Sequence, residues 1–152
     1  MLFTATKHLH NLTWWIILLS GIWALIVTWR GLLTGAAWTK RARLAGLVFS
    51  SALATQLLIG IVLYCNSDIV HQYFAGGLVG KERLIPAFFA MMHPVAMFMA
   101  VVFGQVGYSV SKRMRDDRGK FRAAVLCYTA ALAIALVSVP WPFMPYGRSL
   151  VP

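Results

Sequence analysis

Four apolar runs dominate this chain and leave it almost no choice of fold. They cover residues 12–29, 44–65, 84–110 and 121–139, and each is 18 to 27 residues long. At a helical rise of about 1.5 Å per residue, each is long enough to cross a hydrocarbon core of about 30 Å. No water reaches that core, so a single run must satisfy its own backbone, and a helix does so. The second run contains no charged residue, and the fourth holds only Arg122, close enough to its start to reach the headgroups. The links are too short for a further domain. The reading is all-α: one integral membrane four-helix bundle over residues 1–152, with spans at about 7–29, 44–65, 84–110 and 121–139.

The formal net charge of +10 raises the question of a nucleic acid, and the distribution of the charge argues against one. The link between runs one and two carries Arg30, Lys40, Arg41 and Arg43. The link between runs three and four carries Lys112, Arg113, Arg115, Arg118 and Lys120, with Arg122 just beyond. Those ten of the fourteen basic residues leave Lys7, Lys81, Arg83 and Arg148 for the other side. The positive-inside rule therefore expects both basic links in the cytoplasm and both termini on the outer, periplasmic side. Anionic lipid headgroups are the expected partners of the basic links. The first run is longer than a signal-peptide core and is read as a retained span. Cys65 and Cys127 fall toward opposite faces, too far apart to pair, and both read as packing residues.

The first helix is expected to begin near Thr6 or Lys7, so that His8 and His10 lie on it rather than on a tail. Residues 66–83 form the longest connection, an outer loop with Asp68, His71 and the Gly76-Gly77 pair. A connection of that length in so small a protein is often a docking or functional segment. The tail 140–152, PWPFMPYGRSLVP, has four prolines and three aromatics in thirteen residues. That composition predicts an extended segment along the outer interface.

The chemistry rests on histidine. His10 lies twenty residues before Arg30, and His93 lies nineteen before Lys112, the first charges beyond their runs. Both are therefore expected at one depth, roughly 30 Å from the basic face. Two imidazoles level with each other on two helices are the ligand set of a haem iron or another metal. From His93 the face Ala96, Ala100, Gly104 is stripped of bulk, and Gly21 lies eleven residues after His10 on its face. Such clearance suits a flat macrocycle, and it suits close helix packing equally. Pro94 frees a carbonyl one turn earlier and is expected to break the helix beside His93. The plain alternative is that His93 only bonds a carbonyl, Thr55 or Gln56. His8 and His71 are secondary candidates, as are Gln56, which should face a neighbouring helix, and Met97. Met91, Met92, Met97 and Met99 surround His93 in sequence, a thioether-imidazole set that suits copper, and a single histidine also suits a chlorophyll magnesium. No carboxylate lies within a span, which argues against a proton pump or cation-coupled carrier.

Several segments resemble a family of small bacterial four-helix membrane proteins loosely labelled cytochrome b-like. They are Lys7-His8-Leu9-His10 followed by Trp14-Trp15, Gln56 to Tyr64 (QLLIGIVLY), His93-Pro94, Gly107 to Lys112 (GYSVSK) and Pro140 to Phe143 (PWPF). The chain departs from that pattern at Ala54-Thr55, where relatives often carry a histidine, and at Met92, often Glu. The resemblance implies a multi-pass protein of the bacterial inner membrane. It implies an electron-transfer subunit of a respiratory or photosynthetic complex, not a stand-alone enzyme. One haem b would sit near the outer face on His10 and His93, and the partners would be other membrane subunits and a quinone or external carrier. The competing expectation is a cofactor-free accessory subunit of such a complex.

Overall fold

A computed structural model describes residues 2–149. Its helices are α1 (Leu2–Thr34), α2 (Lys40–Cys65), α3 (Asp68–Ala75), α4 (Gly80–Arg113) and α5 (Asp117–Ser138). There is no strand among the described residues. The four long helices are each apolar and long enough to cross a membrane. Each starts before its apolar run: α1 begins at Leu2 rather than near Thr6 or Lys7, while α5 ends at Ser138, one residue short of its run. The extra turns are the polar ends: α2 begins at Lys40, where Thr39 caps it through the Ala42 amide at 3.3 Å. Asp116 caps α5 through the Gly119 amide at 2.5 Å. At the end of α1, Gly35 takes a positive φ of 63° and lets the Ala36 amide reach back to the Gly31 carbonyl, as helix-ending glycines do.

Short links make sequential helices antiparallel neighbours, and the ring closes α1–α2–α4–α5–α1. The basic half is packed solid. Phe49 and Tyr128 meet edge to face across the ring at 5.7 Å. The Tyr128 ring fits because Gly46 and Gly107 offer no side chain where it lies. Ala124, Ala131 and Ala135 keep the inner face of α5 close to its neighbours and are fully buried. Outward the pattern reverses. Large apolar side chains stand exposed on all four long helices, among them Leu19, Leu58, Phe98, Leu126 and Val137, an extent of apolar surface that water does not favour. That surface needs lipid. This is a multi-pass membrane protein.

Two segments differ from the sequence expectation. Residues 66–83 are not simply a loop: Asp68, in the first turn, opens the two-turn helix α3, whose Val70 is buried. The first turn of α4, Gly80–Arg83, is a 3-10 turn. The tail is non-helical but not extended. It coils in turns, with the Met144 amide on the Trp141 carbonyl at 2.9 Å and the Arg148 amide back on the Pro140 carbonyl at 3.0 Å. Proline forbids the helix, but the aromatics find more contact folded over the bundle end than stretched along it. Trp141 packs on Trp14 at 6.3 Å, and Tyr146 stacks on Phe88 at 3.7 Å. Residues 150–152 of that expectation lie outside the described residues.

Candidate functional site

Two prolines and one helix end open carbonyls at the end of the bundle that holds both termini. Pro94 and Pro140 lack the amides that would have bonded Ala90 and Leu136, four residues before each. The Ser138 carbonyl is open because α5 ends there and Val139 turns extended. Each freed carbonyl receives a side chain instead: the Tyr64 hydroxyl donates to Ala90 at 3.0 Å and the Trp141 indole to Leu136 at 2.8 Å. His93 Nδ1 meets the Ser138 carbonyl at 2.8 Å. A carbonyl can only accept, so Nδ1 is the donor, and in the neutral ring Nε2 keeps its lone pair. The break expected at Pro94 takes the form of a π turn over Phe88–Met92 just before His93, a feature frequent at functional sites.

His10 is held from the other side. Gln56 donates to the His10 carbonyl at 2.9 Å and takes the Thr13 hydroxyl on its own oxygen. The glutamine thus faces α1, and no polar atom of the amide is left in hydrocarbon. The imidazoles of His10 and His93 are neighbours, centroids 6.3 Å apart with planes at 68°. Gly60 of α2 lies directly against His10, where an added Cβ would stand 3.3 Å from Cε1. His10 Nδ1 is buried with no hydrogen-bond partner.

Both rings line one cavity of about 560 Å³ with mostly apolar walls, within the range of about 300–1,000 Å³ typical of cofactor sites. Leu53, Leu57, Met97 and Val101 form its floor toward the packed half. Lys7 and Arg148 reach it from the terminal end.

The other sequence candidates are not gathered there. Gly21 packs on Phe49 and Leu132, and Gly104 on Leu53. Ala100 is buried in the core, and Ala96 lies off the cavity wall. The bulk-free face therefore serves helix packing below the cavity, while Gly60 supplies the clearance beside the histidines. His8 and His71 are exposed on the surface. Of the four methionines only Met97 lines the cavity; Met91, Met92 and Met99 are exposed on the outside of α4. Among the described residues no three His, Cys, Asp or Glu side chains come together, so the histidine pair is the donor set this fold offers.

Two imidazoles from facing helices beside one apolar cavity are the residues that would hold a metal in a macrocycle. The carbonyl-bonded Nδ1 of His93 is the support that a metal-bound imidazole commonly has. The unpartnered Nδ1 of His10 adds an open donor, and Gly60 lets that ring lie against α2. Together the fold and this cavity define a class: a four-span helical membrane bundle with a histidine pair in an apolar cavity at one end. No family model matches the chain, and neither a curated protein nor a solved structure does.

Proposed function

We propose that the cavity holds one b-type haem between His10 and His93, and that the protein transfers electrons within the membrane. The observation that carries this is the pair itself: two imidazoles from α1 and α4, 6.3 Å apart inside one apolar cavity. Bound there, a haem supplies a one-electron couple, and nearly apolar surroundings tune its potential. The chain's own part is orientation and exclusion. Ser138 fixes the His93 tautomer, Gln56 fixes the α1 backbone at His10, and the core below seals the site from the basic end. The four apolar runs hold no carboxylate, which favours electron transfer over proton pumping. The positive-inside rule puts the site near the outer face of a bacterial inner membrane, for exchange with a quinone or an external carrier in a larger complex.

A second reading has one observation in its favour. The His93–Ser138 bond ties α4 to the end of α5 and would hold an accessory subunit together without any cofactor. A dithionite-reduced minus air-oxidised spectrum of the purified protein separates the two. The haem reading expects a sharp band at about 560 nm, lost in His10→Ala and in His93→Ala. A featureless spectrum from folded protein that also takes up no added haem makes His93 a structural residue.

A further inference from the structure

The cavity is apolar at its floor and cationic at its mouth, and the cations have no carboxylate. Lys7 stands one turn before His10 on the same face of α1, and Arg148 comes from the tail. Among the described residues the one ion pair is Lys120 with Asp117 at the opposite end. The placement of Arg148 is built rather than incidental. Its backbone amide is fixed on the Pro140 carbonyl, and its guanidinium lies 5.3 Å over the Phe89 ring. Phe89 in turn packs on His93 at 6.4 Å. Only one weak bond, Nη1 to its neighbour's carbonyl at 3.3 Å, occupies the guanidinium, which leaves most of its five donors for another acceptor.

We propose that Lys7 and Arg148 form an anion clamp, which selects a tetrapyrrole carrying free carboxylates over an esterified one. The inference rests on the histidine-pair reading and adds to it the chemical class of the ligand: an apolar disc, metal-centred, with acid groups on one edge. Imidazoles on the cavity wall and cations at its mouth fix which edge points out of the bundle. A quinone has no acid group to use the clamp, and a chlorophyll carries its carboxyls as esters. The bland competitor is a lipid phosphate, which the same two cations would bind by snorkelling to the headgroups.

The experiment titrates detergent-purified, lipid-free protein with haem b and with its dimethyl ester, reading the Soret shift. The chain as it stands is compared with Lys7→Gln/Arg148→Gln and with Lys81→Gln, a cation outside the cavity. The clamp expects wild type and Lys81→Gln to bind the free acid at least tenfold more tightly than the diester, and the double variant to lose that preference while still taking up the diester. Equal affinity of wild type for both, or a preference that survives in the double variant, overturns the clamp and returns Lys7 and Arg148 to lipid phosphates, with the histidine pair intact. Failure of folded wild type to shift either compound overturns the histidine pair and the clamp together.

Discussion

Two glycines, Gly21 of α1 and Gly60 of α2, have opposite work to do. A Cβ at Gly21 would stand 2.9 Å from Phe49 and 3.0 Å from Leu132, in a packed core with nowhere to yield. At Gly60 the nearest atom is His10 Cε1 at 3.3 Å, and the space beyond is cavity. Gly21→Val should therefore destabilise the bundle by about 1–3 kcal/mol, the usual cost of overpacking, and leave the affinity of the folded fraction for haem unchanged. Gly60→Val should leave the melting temperature in detergent nearly unchanged and weaken haem uptake at least tenfold, because its methyls fill the ligand's space. Thermal unfolding and a Soret titration on the same two proteins read both effects. If the effects came out exchanged, the cavity would be misplaced. The sequence marks Gly21 by its spacing from His10, but spacing along one helix says nothing of what the facing helix inserts. Phe49 and Leu132, far away in the chain, decided that glycine's role. The histidines were legible because depth depends only on distance from the flanking charges, which one helix carries by itself.

At the scale of elements, the terminal end depends on carbonyls that prolines and the end of α5 open for specific side chains. The Ser138 carbonyl is the informative one, since α5 ends there with Val139 extended and His93 supplies the missing donor. His93→Ala should cost about 1–3 kcal/mol in the ligand-free protein, the ordinary penalty of an orphaned buried acceptor. His93→Gln keeps a side-chain donor for that carbonyl, so it should cost measurably less than His93→Ala. Denaturant or thermal unfolding of both variants in detergent gives the difference directly. Equal losses would show that the bond carries no stability and that His93 is held by packing alone. The companion case is Trp141→Phe, which leaves the Leu136 carbonyl without the indole and should cost a similar amount. The four spans themselves were readable from apolar length, and the helical break at Pro94 from the missing amide. The partners of the freed carbonyls were not, because nothing local says that an indole at 141 or an imidazole at 93 will fold back to meet them. Nor was the coil of the tail. Its prolines rule out a helix, but only the bundle end, with Trp14 and Phe88 in place, gives its aromatics something to fold upon.

At the scale of the whole molecule the remaining question is which way the bundle stands. The ring fixes both termini at one end, where the Asn11 amide bonds the Ser149 carbonyl at 3.1 Å, and both basic links at the other. With ten basic residues against four, the positive-inside rule predicts that the basic links face the cytoplasm. Cys65 offers a native probe. It is a free, exposed thiol at the last turn of α2, on the terminal end, while Cys127 is partly buried within α5. In intact cells a membrane-impermeant maleimide should label Cys65 of the wild type. In Cys65→Ser with Met114→Cys, whose thiol would sit on the exposed basic link, labelling should require permeabilised cells. The opposite pattern would invert the bundle and put the cavity at the cytoplasmic face. The ten cations would then face outward against the rule. On the proposed electron-transfer reading, orientation sets the partner: the same histidine pair would serve either compartment, and the basic links predict the outer one.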